Sequence, residues 1–208
     1  MIKLYDENFS GYVEAEVKDF YCNDLPVYFA KTDKDSYVRN FSAPFYPVPK
    51  MIYGSKPTDG GNLILSPEER DELVAKNPAA EKWIRPFLGS LEFIRGKKRF
   101  CLWLEDCPPN ELRKMPRVMK RVEAVRDFRL ASKKAATRRR AETPTLFTED
   151  RFIDAPALLM PMVSGNRKYV PIGFVERGVI VSNKALFIPN ADIFHFGVLT
   201  SSIHMAWM

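Results

Sequence analysis

Residues 115–140, MPRVMKRVEAVRDFRLASKKAATRRR, carry a long helical pattern whose character changes along its length. In the first half, apolar side chains recur every three or four residues, which places them on one side of a helix. These side chains are Met115, Val118, Met119, Val122 and Val125. The first half therefore predicts a helix that packs on an apolar core.

In the second half, the same row becomes cationic. Continued from Met119 and Val122 at the same spacing, the row reaches Arg126, Arg129 and Lys133. A charged row cannot stay in an apolar interior without partners. We therefore expect this half to leave the core, to meet acidic groups or to face a polyanion.

The positive charge of the chain is concentrated in this region. Residues 113–140 contain twelve basic and two acidic residues, a net charge of +10. The other residues include 20 basic and 24 acidic ones, a net charge of −4, so the chain as a whole carries +6. One segment thus supplies the entire positive excess, which indicates a polyanionic partner.

Beyond Leu130, small residues alternate with long cations. Hydroxyl groups donate to phosphates and alanines permit close approach, so this composition suits a helix against the groove of a duplex. The alternative is a basic surface that is solvated or paired with acids elsewhere. The residues expected to contact DNA from this segment are Arg126, Arg129, Ser132, Lys133, Lys134, Thr137 and Arg138.

A second candidate is the polar connection formed by residues 164–169, between strands predicted at 157–163 and 169–173. Arg167 has the geometry to read guanine, and Asn166 to read adenine or to hold a phosphate. Lys168 adds a further cation. The alternative is an ordinary polar turn.

The order of patterns along the chain predicts the fold class. Ser66 followed by Pro67 and two acids is a strong helix start, and residues 191–207 indicate a closing helix. Short apolar runs on either side of the basic helix indicate strands. We expect an α+β fold of mixed short strands, with a basic central helix and a C-terminal helix in a single domain.

The composition excludes several classes of protein. At 46% hydrophobic and 12% aromatic residues, the chain can bury a core. No apolar run is long enough to cross a bilayer, so we expect no membrane partner. The N-terminus lacks signal-peptide features, and three cysteines are too few for a disulfide framework or a four-ligand zinc site. These features predict a cytoplasmic location.

Patterns for catalysis are weak, and we expect neither catalytic nor metal-binding residues. The two histidines, His195 and His204, lie in the apolar C-terminal segment. Asp6, Glu16 and Lys18 loosely mimic the acidic triad of a nuclease, so a small metal-dependent nuclease is one alternative. The basic segment leaves a second alternative open, an RNA-binding module.

Six blocks taken together resemble the MmeI-like restriction–modification enzymes and related adenine-specific DNA methyltransferases. They run in order across residues 45 to 208. The blocks are residues 48–66 (VPKMIYGSKPTDGGNLILS), 84–87 (IRPF), 99–104 (RFCLWL), 126–137 with its core RLASKKAAT, 167–174 (RKYVPIGF) and 196–207 (FGVLTSSIHMAW).

The resemblance implies that residues 41–208 are a DNA target recognition domain, cut short at its C-terminus, that positions an adenine for N6 methylation. Residues 1–40 match poorly and are expected to be a strand and loop segment that links to an absent methyltransferase domain. The implied partners are double-stranded DNA and that methyltransferase domain, in the same polypeptide. The implied cofactor, S-adenosylmethionine, belongs to that domain, and none is expected in this fragment.

Overall fold

The computed structural model describes residues 2–6, 11–15 and 47–207, except 164, 166 and 168. The chain divides into two units, Met1–Val48 and Pro49–Met208. In the first unit, strands β1 (Ile2–Asp6) and β2 (Gly11–Ala15) pair antiparallel, with Ile2 opposite Ala15. The boundary at residue 40 and the linking role of the first segment stay predictions.

The second unit contains two sheets of four strands in its described residues. One sheet is antiparallel throughout, and the other combines antiparallel pairs with one parallel pair. In chain order, the strands are β3 (Ile52–Tyr53), β4 (Ile64–Leu65), β5 (Ile84–Leu88), β6 (Phe100–Leu102), β7 (Ala157–Pro161), β8 (Gly173–Val175), β9 (Ile180–Val181) and β10 (Ala185–Pro189). The orders are β4-β6-β5-β9 and β3-β10-β7-β8.

Helices lie between and after these strands. Two short 3-10 helices, Pro78–Trp83 and Arg140–Glu142, accompany them. The α-helices of the described residues are α1 (Pro67–Lys76), α2 (Ser90–Arg95), α3 (Pro109–Leu112), α4 (Pro116–Leu130), α5 (Ala135–Arg139), α6 (Ile193–Thr200) and α7 (Ser202–Trp207). This arrangement confirms the predicted α+β class, with a basic central helix and a helical C-terminus.

The predicted start of α1 is confirmed in detail. The Glu69 N–H donates to Ser66 Oγ at 3.2 Å, and the Ser66 N–H donates to the Glu69 carboxylate at 2.9 Å. Pro67 occupies the first helical position, where a missing N–H costs nothing. This reciprocal capping satisfies two N–H groups that a helix end would otherwise leave without partners.

The basic helix is shorter than the sequence predicts. α4 begins at Pro116 as expected, but it ends at Leu130 and a separate helix, α5, follows four residues later. Local hydrogen bonds take the place of helical ones at the break: the Lys134 N–H donates to Ser132 Oγ at 3.2 Å. Serine competes for the backbone in this way and disfavours a continuous helix.

Two predicted elements were incomplete, and two observed elements were not predicted. The unpredicted elements are strand β5, which follows the 3-10 helix Pro78–Trp83, and helix α2. The strand predicted at 169–173 begins only at Gly173, and the closing helix divides at Ser201, whose ψ of 149° is extended. Within β5, Pro86 precedes the residues that pair with β9, so its missing N–H breaks no bond there.

Three apolar clusters support the two sheets, and the third packs Leu158, Ile188 and Ala191 against side chains of α6. In the first, α4 packs Met115, Val118, Val122 and Val125 against residues of the β4-β6-β5 sheet and the helices around it. In the second, α2 contributes Phe93, which packs against the buried side chains of the β7-β10 sheet. Gly54, which follows β3, donates to the Ala185 carbonyl of β10 in the same sheet at 3.1 Å, and the next N–H, that of Ser55, donates to the Val181 carbonyl of β9 at 2.7 Å and links the two sheets.

Gly54→Ala should destabilise the second unit by about 3 kcal/mol or more. An added Cβ would lie 2.3 Å from the carbonyl oxygens of Ser182 and Val181, and backbone cannot move aside as a side chain can. The matched control is Gly197→Ala in α6, where no atom lies within 4 Å of the added carbon. That control should be neutral or slightly stabilising, since alanine favours helices. Urea denaturation of both variants measures the difference, and equal midpoints would contradict this packing.

Candidate nucleic-acid interface

Arg129 is fully buried, at 0% exposure, although the sequence predicts it as a DNA contact. It continues the buried row of α4, which runs through Met115, Val118, Val122 and Val125 at spacings of three and four. Its guanidinium makes five hydrogen bonds, all to backbone carbonyl oxygens at 2.7–3.0 Å. The acceptors are the carbonyls of Pro57, Thr58, Arg140, Thr143 and Leu146.

The prediction for Arg129 is therefore corrected: no N–H of this guanidinium is left to donate to DNA. Burial lowers the pKa of Arg129, and the nearby Asp59 carboxylate opposes that shift. From the sequence, the expected partners of this charged row were acidic groups or a polyanion. The observed partners are carbonyls of neighbouring turns. Arg129 lies four residues after Val125, on the same face of the helix, and this spacing is the sequence signal for its burial.

Arg129 also gives the following segment its shape. We call residues 130–140 the basic excursion. Its last residue, Arg140, offers its carbonyl to Arg129 Nη1 at 2.9 Å, so the chain leaves α4 and returns to it. Within the excursion, Arg138 Nη1 donates to the carbonyls of Ser132 and Lys133, both at 2.9 Å. The first hydrogen bond therefore holds the two ends of the excursion close together, and the bonds from Arg138 hold the bend between α4 and α5.

Both arginines in the first half of α4 have acidic partners. Arg121 Nη2 lies 2.7 Å from a carboxylate oxygen of Glu69, and Arg117 Nη1 lies 3.5 Å from one of Glu72. Hydrogen bonds from Ser66 and Arg121 lower the pKa of Glu69. α1 therefore neutralises this part of the basic segment, as one alternative in the sequence argument allowed.

Cations further along the segment have no such partners. The side chains of six exposed basic residues form no ion pair with any residue that the structure describes. They are Arg126, Lys133, Lys134, Arg138, Arg139 and Arg140. Ser132 and Thr137 lie half-buried among them. The structure thus brings the predicted residues of the excursion together on a solvent-facing, uncompensated positive surface.

The second predicted group lies in the connection between β7 and β8, at residues 162–172. Arg167 is exposed, and its N–H donates to the Gly165 carbonyl at 2.8 Å. Asn166 and Lys168 lie outside the described residues. This connection belongs to the β7-β10 sheet, whereas the basic excursion follows the helix of the other sheet.

Residues considered for catalysis have structural contacts or lie outside the description. His195 Nδ1 lies 2.6 Å from Asp192 Oδ1 in the cap of α6, and His204 Nδ1 lies 2.9 Å from the Leu199 carbonyl. Glu16 and Lys18 fall outside the described residues. Within the part that is described, no group of three or more histidine, cysteine or acidic side chains could hold a metal ion. No helix there is long and apolar enough to cross a membrane.

Comparisons with known proteins agree with this arrangement. The family model of the MmeI target recognition domain matches residues 32–208. DNA methyltransferase A of Bacillus subtilis strain 168 is 31% identical over 172 residues, which are 82% of this chain and 20% of that protein. A solved structure of the type IIL restriction–modification enzyme MmeI in complex with DNA matches with a TM-score of 0.77 and 41% identity. The match covers 81% of this chain and 23% of that one.

The second unit combines an α+β fold with exposed cations that form no ion pair with any described residue. These are the features of a basic binding domain. The chain belongs to the family of the MmeI target recognition domain, which confirms the resemblance seen in the sequence. It spans about a fifth of the length of the two longer proteins that it matches.

Arg129→Met should lower the free energy of unfolding by about 3–5 kcal/mol, because five backbone carbonyls lose a charged hydrogen-bond donor at a buried position. Arg126→Met removes the same charge from an exposed position and should change stability by less than about 0.5 kcal/mol. Urea denaturation followed by tryptophan fluorescence compares them. Similar small losses in both variants would show that the buried guanidinium does not hold these segments.

Proposed function

We propose that this chain reads a DNA sequence as the target recognition domain of a longer DNA methyltransferase. The observation that carries the proposal is the basic excursion: exposed cations on a bend that Arg138 holds, with no acidic partner among the described residues, in a domain of this family. Duplex DNA presents a regular array of phosphates, and cations held in a fixed arrangement bind it without first losing much conformational freedom. The MmeI structure named above was solved in complex with DNA, which supports the same partner.

The residues of the excursion would position the duplex. Lysine and arginine side chains contact phosphates, and hydroxyl groups add neutral donors, but these contacts carry little sequence information. The proposed contacts are Arg126, Ser132, Lys133, Lys134, Thr137 and Arg138. Arg129 is omitted from this set and acts as a positioning residue, since its side chain is buried.

The connection between β7 and β8 would supply base contacts. Arg167 is exposed there, and arginine reads guanine in the major groove through two parallel hydrogen bonds. Asn166 and Lys168 remain proposed contacts on the strength of their residue types. Specific recognition needs contacts of this second kind, because phosphate contacts are the same for every sequence.

The chemistry would belong to another part of the polypeptide. By its family, the parent protein would transfer a methyl group from S-adenosylmethionine to the N6 atom of an adenine, in a methyltransferase domain that binds this one. The present chain would contribute the choice of site. Its similarity to DNA methyltransferase A supports this assignment.

The double variant Lys133→Glu/Lys134→Glu should weaken binding to a short DNA duplex of randomised sequence by at least about a hundredfold, because two attractive contacts become repulsive. The matched control is Lys97→Glu/Lys98→Glu, which changes net charge equally at two exposed positions outside the excursion. Arg138 is unsuitable for this test, since it also holds the carbonyls of Ser132 and Lys133. Fluorescence anisotropy at several salt concentrations measures both affinity and salt dependence.

Equal losses in the two double variants would mean that net charge alone drives binding, and would overturn the placement of DNA on the excursion. An RNA duplex of matched sequence should compete poorly with DNA. Stronger competition by RNA would favour the RNA-binding alternative. In the longer polypeptide, the Lys133→Glu/Lys134→Glu variant should lose site methylation.

A further inference from the structure

The turn formed by residues 57–62 lies directly beside the end of the basic excursion. One guanidinium connects them: Arg129 donates to the Thr58 carbonyl through Nε at 3.0 Å and to the Arg140 carbonyl through Nη1 at 2.9 Å. It also reaches the Pro57 carbonyl, at 2.9 Å. Because a single planar group binds both segments, the turn is held in a fixed position next to the exposed cations.

Two adjacent backbone amides at the tip of this turn have no acceptor. Gly60 and Gly61 are exposed, with φ of +64° and +87°, a region that favours glycine. Among the described residues, neither N–H donates a hydrogen bond. The following N–H groups are used: Asn62 donates to the Asp59 carbonyl at 3.2 Å and Leu63 to the Asp59 carboxylate at 2.6 Å. Amides at such turns are recurrent anion-binding groups.

The acidic side chain of the turn does not oppose an anion at the tip. Asp59 is buried, and its carboxylate accepts the Leu63 N–H on the inner side of the turn. It also acts electrostatically on Arg129, whose pKa it raises against the effect of burial. The negative charge is therefore balanced inside the domain.

Phe128 supports the turn from the side of α4. A Cβ on Gly60 would lie 2.7 Å from Phe128 Cδ2, so the aromatic ring rests where only glycine leaves room. The ring nevertheless remains 46% exposed. The Phe128 ring therefore packs against Gly60 on one side of the tip. Gly61 faces open space, since no described atom lies within 4 Å of a Cβ added to it.

We propose that the Gly60–Gly61 tip is a phosphate-binding element of the DNA interface, in which the two amides donate to the oxygens of one backbone phosphate. This inference rests on the proposed function and extends the interface from the basic excursion to a neutral turn. The tip fixes the register of the duplex against the excursion and reads no bases. It explains why this turn is tied to the same arginine that closes the excursion.

The test compares Gly61→Asp with Gly61→Asn. Asparagine and aspartate have nearly the same shape and both tolerate positive φ, so they differ mainly in charge. Gly61→Asp should bind a randomised DNA duplex roughly tenfold more weakly than Gly61→Asn, because its carboxylate repels the phosphate. The slope of log affinity against log salt should also decrease in magnitude by about one. Equal thermal midpoints would establish that both variants fold alike.

A measurement on the unchanged chain keeps the inference testable if either variant folds poorly. With 15N-glycine labelling, the amide signals of Gly60 and Gly61 should move downfield when duplex DNA is added, whereas that of Gly197 in α6 should not. Unmoved signals at saturating DNA would overturn the inference.

The outcomes separate this inference from the proposed function. If Lys133→Glu/Lys134→Glu weakens binding while Gly61→Asp and Gly61→Asn bind alike, the excursion binds DNA and the tip does not. If the lysine variant binds as tightly as the unchanged chain, the proposed interface itself is wrong, and the inference about the tip fails with it.

Discussion

A single buried guanidinium, that of Arg129, holds together the turn at residues 57–62, the end of α4 and the return of the basic excursion. Arginine suits this position because it presents five N–H donors in a planar fork, and five carbonyls from separate segments surround it. Lysine has three donors on one atom and could not reach the same set. One side chain thus joins the turn, the end of α4 and the return of the excursion, so these three segments depend on one another.

This constraint divides the cations of the basic segment by role. Arg117 and Arg121 pair with acids of α1 and strengthen the contact between two helices. Arg129 is buried and donates hydrogen bonds to backbone carbonyls. Lys133 and its neighbours in the excursion stay without acidic partners among the described residues. Charge counted along the sequence thus overstates the charge that is available to a partner, and the structure identifies which cations remain.

In the proposed interface, the two sheets support two different kinds of DNA contact. The mixed sheet supports α4 and hence the excursion, whose cations suit the uniform phosphate backbone. The antiparallel sheet carries the connection between β7 and β8, whose polar residues suit base edges. Residues that select a sequence can vary in such a connection without disturbing the core. The basic excursion, which would bind the DNA backbone, tolerates less sequence variation, because its shape depends on the hydrogen bonds of the buried Arg129.

Local patterns in the sequence were sufficient for the fold class, the start of α1 and the apolar row of α4, since each depends on neighbouring residues. Six ordered blocks were also sufficient for the family. The carbonyl partners of Arg129 and the strand at residues 84–88 became known only from the tertiary structure, since they depend on carbonyls and strands that come from distant parts of the chain. The sequence alone does not distinguish an arginine that donates to five carbonyls from one that is exposed to a phosphate. The folded chain distinguishes them by the burial and the hydrogen bonds of each side chain.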